Sequence, residues 1–302
     1  MERRKVYHVN KRKRSQHLYG YLFTAPLLIG LILFFFIPLG YAVYLSFTDF
    51  SFQNIDSYSF VGFQNYIDAF SDEWFLRSLI NALINSIGVP IGLVLALVLS
   101  NFLVTYKKGS LLFRTIYYIP TVCGAVIVTF IWKWLYLPIY GFLPKVFAFL
   151  GIPDMVFLGE EYFWPSMIVM GVWNGLGTSV LLLFAQLKNI SKSLYESATI
   201  DGCNGFQKFA HITVPGVSPI LFYILVTGIS GSFQEFARFQ AMRGNSITSW
   251  SIMPVWYIYQ YTGSAWNYQL GYASALGILL DLVILFLSAI NFIISKLWVK
   301  NT

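Results

Sequence analysis

The chain has very little charge. Only 11% of its 302 residues are Asp, Glu, Lys or Arg, whereas an ordinary soluble domain carries about 25%. None of these four residue types occurs in five long stretches, which are residues 15–48, 78–106, 115–132, 162–187 and 244–280. Each stretch is at least as long as the roughly 18 residues at which a membrane-spanning helix is suspected. The scarcity of charge excludes a soluble globular protein and predicts an all-α polytopic membrane protein.

Residues that commonly carry chemistry are also scarce. Cys123 and Cys203 are the only cysteines, and the topology given below puts them on opposite sides of the membrane, which excludes a disulfide. The three histidines, His8, His17 and His211, lack HExxH spacing and a Ser–His–Asp context. The dipeptide Gly-Lys does not occur, so the chain has no GxxxxGK[ST] phosphate-binding loop. We therefore expect no enzymatic activity, no metal and no cofactor bound by this chain.

The apolar stretches predict six membrane-spanning helices, at about residues 19–46, 81–104, 113–136, 163–187, 217–237 and 270–297. Together they form one domain over residues 19–297, between a basic tail at 1–18 and a short tail at 298–302. Seven Lys and Arg residues fall within residues 3–14, and acidic residues concentrate between alternate spans. The positive-inside rule then puts both termini in the cytoplasm. The net charge of +7 is thus assigned to membrane orientation and lipid contact, not to nucleic acid.

A polar segment, residues 191–215, separates the fourth and fifth predicted spans and reads SKSLYESATIDGCNGFQKFAHITVP. Ser193 is a predicted N-cap of a helix from residue 194 to residue 201, with Glu196 completing a capping box. Gly202 supplies the positive φ that ends this helix. A second helix is predicted from residue 205 to residue 212, and Pro215 is expected to end it. Such a helical unit can enter a groove on a partner, although an ordinary connector remains the alternative.

The segment resembles the EAA loop of bacterial ABC-importer permeases, with Ser197 and Val214 as departures. The matching residues are Glu196-Ser197-Ala198, Asp201-Gly202 and Ile212-Thr213-Val214-Pro215. This resemblance implies the six-helix type I permease fold, with both termini cytoplasmic and with a cytoplasmic coupling loop at residues 188–216. It also implies that the loop couples to ATPase subunits, which hold ATP and Mg. The residues expected to make that coupling contact are Glu196, Ala198, Asp201, Gly202 and Pro215. We name residues 191–215 the EAA segment.

Further motifs are similar to the sugar-importer branch related to the larger maltose-permease subunit. They are FRTIYYIP at 113–120, WKWL at 132–135 and GYASA at 271–275. The resemblance covers residues 18–298, without the large outer domain of that relative. It implies a multi-pass protein of the bacterial cytoplasmic (inner) membrane that imports a sugar or oligosaccharide by alternating access. The implied partners are a second, different permease subunit, two cytoplasmic ATPase subunits, an extracytoplasmic solute-binding protein, the sugar and the lipid bilayer.

Polar residues inside predicted spans are candidates for solute contact, because a polar solute needs hydrogen-bond partners within the bilayer. The fourth and fifth spans contain several, and the resemblance selects five positions among them as substrate-binding: Asn174, Gly175, Thr178, Ser232 and Glu235. Hydrogen bonding between helices is the competing interpretation for each. Asp281, in the sixth span, is expected to face the bundle interior or a seam between subunits.

Three other functions were weighed. Glycerol phosphate importers share the implied fold, so a phosphorylated polyol is an alternative solute. An ion-driven secondary transporter would carry an internal two-fold repeat, and no convincing repeat is found. An intramembrane enzyme would need paired catalytic residues, which the sequence does not offer.

Overall fold

The computed structural model describes residues 19–105, 110–152, 155–244, 246–263 and 268–299. The predicted basic tail at 1–18 and most of the predicted tail at 298–302 lie outside the described residues. Within these ranges the chain forms helices and loops, with one isolated β-bridge between Thr48 and Phe60. In chain order the helices are α1 (Tyr19–Ser46), α2 (Gln64–Ser71), α3 (Glu73–Thr105), α4 (Ser110–Val122), α5 (Ala125–Leu135), α6 (Phe142–Phe149), α7 (Phe163–Asn189), α8 (Lys192–Ile200), α9 (Gly205–Gln234), α10 (Ala237–Arg243), α11 (Pro254–Thr262) and α12 (Leu270–Trp298).

Five of these helices are long and apolar enough to cross a membrane: α1, α3, α7, α9 and α12. They have 27 to 33 residues each, and a helix rises about 1.5 Å per residue, so each exceeds the roughly 30 Å hydrocarbon thickness. The first, second, fourth and sixth predicted spans correspond to α1, α3, α7 and α12. The helical, polytopic fold class is therefore confirmed.

The third predicted span, 113–136, is not the continuous helix that was expected. It consists of α4 and α5, and the chain bends by 106° between them. Gly124 between them has an extended backbone (φ −56°, ψ 138°), and Pro120 lies in the last turn of α4. Because proline cannot donate the helical hydrogen bond and crowds the preceding turn, the helix breaks here. Counting the bent pair as one span gives the sixth.

The fifth predicted span, 217–237, has different bounds. Its helix, α9, begins at Gly205 and ends at Gln234. Glu235 then leaves helical geometry with φ −69° and ψ 123°, and α10 restarts at Ala237. Glu235 therefore lies at a helix break and not inside a helix.

Close packing of α3 against α7 forms the centre of the domain. Ser100 of α3 donates a hydrogen bond to the Val180 carbonyl of α7 at 3.1 Å. Ala96, Leu183 and Val217 are buried beside this contact in an apolar cluster that α9 completes. Small residues at such contacts let helix backbones approach closely in lipid, where hydrophobic driving force between helices is absent.

Asp281 differs from the expectation of a buried carboxylate. It lies on α12 and is exposed on the surface of this chain, so the prediction that it faces the interior of this chain's bundle is wrong. Its location at a seam with another subunit remains a prediction. α1 is also exposed over most of its length, with none of its most apolar window buried, and only its end at Leu45 and Ser46 is buried.

Candidate functional site

The first helix of the EAA segment, α8, starts earlier than predicted. Its N-cap is Ser191 and not Ser193. The Ser191 hydroxyl lies 2.7 Å from the Ser193 hydroxyl and makes no side-chain cap, and Glu196 is exposed. The predicted capping box of Ser193 with Glu196 is therefore wrong, because helix α8 includes Ser193 and a cap must precede the first turn.

A capping box does occur, but one helix later. The Asn204 side chain accepts a hydrogen bond from the Gln207 backbone N–H at 2.8 Å, and the Gln207 side chain accepts one from the Asn204 backbone N–H at 2.8 Å. Both otherwise unsatisfied donors at the start of α9 are thus paired. The reciprocal Asn-x-x-Gln spacing was visible in the sequence and could have located this helix start.

Gly202 ends α8 as predicted. Its φ is +80°, and the Cys203 N–H donates to the Ala198 carbonyl at 2.9 Å while the Gly202 N–H donates to the Thr199 carbonyl at 3.1 Å. These two bonds form a Schellman motif. Among the residues that the structure describes, no heavy atom outside the neighbouring residues lies within 4 Å of where a Gly202 Cβ would be, so backbone conformation and not space favours glycine here.

Pro215 does not end the second helix of the segment. That helix passes through a π turn at Phe209–Thr213 and continues as α9 to Gln234. Pro215 occupies the start of the regular α-helix after the π turn, where the irregular hydrogen bonding tolerates a missing N–H. The second predicted helix, 205–212, is therefore the first part of a membrane-length helix.

Side-chain contacts tie α8 to this first part of α9. The Tyr195 hydroxyl lies 2.9 Å from the Thr213 hydroxyl, and the Lys208 ammonium donates to the Thr199 hydroxyl at 2.9 Å. Sequence reasoning missed these residues, because contacts between two short helices depend on the turn that joins them. The EAA segment is consequently a folded unit and not a loose connector.

The outer surface of the EAA segment is partly apolar. The side chains of Ile200 and Phe206 are 87% and 78% exposed, and Leu194 is also exposed. The remaining predicted coupling residues lie on the same unit: Glu196 and Asp201 are exposed and Ala198 is half-buried. An exposed apolar group with an acidic border is suited to a groove on another protein.

A cavity of about 260 Å³ lies between α3, α7 and α9. Three of the five predicted substrate-binding residues line it: Gly175, Ser232 and Glu235. Its other lining residues are mainly small or apolar, with further polar groups at Asn85, Ser179 and Arg238. Sequence reasoning did not select these three polar residues. We name this space the α3–α7–α9 cavity.

Asn174 and Thr178 do not line the cavity, and their role in substrate binding stays a prediction. Gly171, Gly175 and Ser179 of α7 line it at four-residue spacing, and a residue one position earlier is rotated by about 100° around the helix. The backbone carbonyl of Asn174 accepts a hydrogen bond from the Thr121 hydroxyl of α4 at 3.3 Å, while its side-chain oxygen Oδ1 is buried without a hydrogen-bond partner among the described residues. Thr178 is exposed on the outer surface of this chain.

Glu235 forms an ion pair that the sequence analysis did not predict. Its carboxylate accepts a hydrogen bond from the Arg238 guanidinium at 2.5 Å, and their side chains are 20% and 13% exposed. Arg238 lies on α10, and its guanidinium packs against Gly171 of α7. A Cβ at Gly171 would lie 2.9 Å from the guanidinium nitrogen Nη1. A signal existed in the sequence, since opposite charges at i and i+3 follow a long uncharged run.

A second polar cluster fixes the start of α3. The Asp72 carboxylate caps α3 by accepting hydrogen bonds from the Trp74 and Phe75 N–H groups, and its other oxygen accepts from the hydroxyls of Tyr257 and Tyr272 at 2.5 and 2.7 Å. Burial, and then the bond to Asp72, raise the pKa of Tyr257 above its usual value. The Asp72 cluster therefore joins α3, α11 and α12.

Known proteins resemble the chain over nearly its whole length. The model of the family described as "Binding-protein-dependent transport system inner membrane component" matches residues 88–300. The arabinooligosaccharides transport system permease protein AraP of Bacillus subtilis is 32% identical over 282 residues, covering 91% of this chain and 88% of that protein. The probable ABC transporter permease protein YesP of the same organism is 31% identical, covering 95% of this chain and 93% of YesP.

A solved structure has the same fold. It is the crystal structure of a bacterial ABC transporter involved in the import of the acidic polysaccharide alginate, and one of its chains superposes with a TM-score of 0.79 at 25% identity. The match covers 96% of this chain and 99% of that chain. Residues 191–215 resemble the EAA loop of ABC-importer permeases. The chain therefore belongs to the family of inner membrane components of binding-protein-dependent transport systems.

Proposed function

We propose that this chain is the permease subunit through which an ABC importer carries a sugar or oligosaccharide across the bacterial cytoplasmic membrane. The observation that carries the proposal is the continuity of α9, which begins at Gly205 in the EAA segment and ends at Gln234 beside the α3–α7–α9 cavity. A helix of 30 residues is about 45 Å long. A displacement of the EAA segment is thereby transmitted to Ser232 and Glu235.

The chemistry of the cavity supports a sugar as solute. Glu235 supplies an acceptor, Arg238 a donor, and Asn85 both. Sugar hydroxyls need such paired donors and acceptors, because an unsatisfied polar group within the membrane is costly. The similarity to an arabinooligosaccharide permease agrees with this solute class.

The energy must come from other polypeptides, since the sequence has no phosphate-binding loop. In the proposed assembly, two cytoplasmic ATPase subunits bind ATP and Mg, and the EAA segment docks on them through Glu196, Ala198, Asp201, Gly202 and Pro215. A second permease subunit completes the pathway, and an extracytoplasmic binding protein delivers the solute. The chain itself performs no catalysis, and it binds the lipid bilayer and no nucleic acid.

Reconstitution of the complete complex in lipid nanodiscs tests this function. Binding-protein thermal shifts with a panel of oligosaccharides identify a solute, and solute-stimulated ATP hydrolysis is then measured. We expect Glu196→Lys, a charge reversal in the EAA segment, to abolish most of the stimulation. Glu160→Lys is the matched control, because Glu160 is an exposed acid on an outer loop, and it should leave the stimulation intact. Uphill uptake without ATP would instead identify a secondary transporter.

A phosphorylated polyol is the second candidate solute, and Arg238 is the observation that favours it. A guanidinium binds phosphate in a bidentate geometry. In this cavity, however, Arg238 already pairs with Glu235, so a phosphate would have to compete with a fixed carboxylate. The sugar therefore remains the better supported solute.

A further inference from the structure

The Glu235–Arg238 pair occupies the point where α9 ends and α10 begins. Glu235 has an extended backbone between the two helices, and Arg238 lies in the first turn of α10. Both side chains line the α3–α7–α9 cavity and are mostly buried. The pair is therefore a fixed part of the cavity wall.

Gly171 of α7 makes room for the guanidinium. A Cβ at this position would lie 2.9 Å from Arg238 Nη1, which is closer than real Cβ contacts. The guanidinium is thus held between the α7 backbone on one side and the Glu235 carboxylate on the other. The guanidinium bonds to Glu235 through Nη2, and it has further N–H donors.

The pair also sets the net charge of the cavity. Among the described residues, its lining contains one acidic residue, Glu235, and one basic residue, Arg238. Their charges cancel, and the other lining residues are neutral. A carboxylate or phosphate entering the cavity loses hydration, and its attraction to Arg238 is offset by repulsion from Glu235. An uncharged hydroxyl has a much smaller desolvation cost than an anion, and it can donate to the carboxylate while another hydroxyl accepts from the guanidinium.

We infer that the Glu235–Arg238 pair is a specificity determinant that admits uncharged sugars and disfavours uronates and phosphorylated solutes. The inference rests on the proposed function, because it concerns the solute of the same cavity. Glu235 is the discriminating residue, since its removal would leave Arg238 as an uncompensated binding site for anions. Arg238 has the opposite role, since its removal would leave a cavity that favours cations.

A thiol placed in the cavity can measure this selectivity. Cys123 and Cys203 are first replaced by serine, and Ser179→Cys then introduces a reporter on the cavity face of α7. The complete complex in nanodiscs, without solute, is treated with methanethiosulfonates carrying a neutral hydroxyethyl, an anionic sulfonatoethyl or a cationic trimethylammonium group. The rates are followed by mass spectrometry and divided by those of a free thiol. The sulfonate stands for the carboxylate or phosphate of an acidic sugar.

In the parent protein we expect the sulfonate reagent to react no faster than the neutral one. Glu235→Gln should increase the sulfonate rate relative to the ammonium rate by about tenfold or more, as one charge at short range in a low dielectric does. Arg238→Gln should change the ratio by a similar factor in the opposite direction, and the double variant should return it toward the parent value. Lys145→Gln, a change of an exposed charge on α6 outside the cavity lining, should leave the ratio unchanged.

The sulfonate-to-ammonium ratio cancels any change in access to the thiol that affects both reagents alike, and the neutral reagent reports that change separately. The inference is overturned if Glu235→Gln changes the ratio less than twofold, or if the parent cavity already favours the sulfonate over the neutral reagent by threefold or more. The assay needs neither transport nor ATP hydrolysis. A failure of the proposed import function would therefore appear in the nucleotide assay and not in these rates.

Discussion

The hydroxyl of Tyr195 on α8 lies 2.9 Å from the hydroxyl of Thr213 on α9. Thr213 is almost fully buried at the end of the π turn through which α9 enters the membrane domain. α8 carries the exposed Glu196 of the EAA segment and α9 reaches the α3–α7–α9 cavity, so this hydrogen bond links the two helices directly. Its loss should weaken the transmission of movement while leaving both ends intact.

We expect Tyr195→Phe to reduce solute-stimulated ATP hydrolysis several-fold in the complete complex. A hydrogen bond of this kind contributes about 1 kcal/mol, so the subunits should still assemble. Basal ATP hydrolysis reports whether the subunits assemble, and stimulated hydrolysis reports whether movement is transmitted to the ATPase subunits. Tyr223→Phe is the control, because Tyr223 is exposed on α9 and should tolerate loss of its hydroxyl. Equal stimulation in both variants would show that the Tyr195 contact is not used.

Gly202→Ala should loosen the end of α8. An alanine at φ +80° costs about 1 kcal/mol, although no atom obstructs its Cβ. Hydrogen exchange of the amides of Gly202 and Cys203 should accelerate by several-fold, because these amides make the Schellman bonds. Gly205→Ala is the matched control, since Gly205 has open space and no positive φ. If these amides exchange at the same rate in both variants, the Schellman motif does not stabilise the end of α8.

Gly177→Ala should destabilise the packing of α7 against α4. A Cβ at Gly177 would collide with the Tyr117 carbonyl oxygen, and overpacking of this kind costs about 1–3 kcal/mol. The melting temperature in nanodiscs should fall. Gly175→Ala, two residues away on the same helix, meets no atom within 4 Å and should leave the melting temperature nearly unchanged. A larger fall in melting temperature for Gly175→Ala than for Gly177→Ala would contradict the α4–α7 contact.

The Asp72 cluster predicts a loss of stability in alkaline solution. A tyrosine whose pKa is raised in the folded state, as burial and Asp72 raise that of Tyr257, contributes stability below its unfolded pKa of about 10. That stability is lost as the pH rises above this value, because the unfolded state then releases the proton first. The melting temperature should decline between about pH 9.5 and pH 11. Tyr257→Phe should have a lower melting temperature near neutral pH and a weaker decline, and an unchanged decline would exclude Tyr257 as its source.

Hydropathy predicted most of the membrane helices, because a long uncharged segment in a bilayer must satisfy its backbone hydrogen bonds internally and therefore forms a helix. It failed at the third span, where Pro120 and Gly124 were both visible but a proline is often tolerated within a membrane helix. The bent pair also packs against α7, where Gly177 lets the Tyr117 turn of α4 approach closely. Local sequence alone does not specify that contact.

The sequence also predicted the general location of the cavity but not its wall. Gly175, Ser232 and Glu235 were identified, whereas Asn174 was chosen over Ser179. A membrane span without one distinct apolar face does not show which side of the helix faces the protein interior. The sequence therefore could not show which of the neighbouring polar residues on α7 lines the cavity. Arg238 was missed because it lies on α10, beyond the break at Glu235, where the helical periodicity of α9 no longer applies.

The amino-acid sequence by itself determined that the chain is a polytopic helical membrane protein with an EAA segment, because scarce charge and a local motif need no partner to be recognised. Only the tertiary structure decided that α9 joins that segment to the α3–α7–α9 cavity and that Glu235 is neutralised by Arg238. These features depend on where a helix continues, on which side of it faces the cavity, and on the contact of two residues across the break between α9 and α10. Such relationships arise from packing in three dimensions, which the order of residues along one helix does not specify.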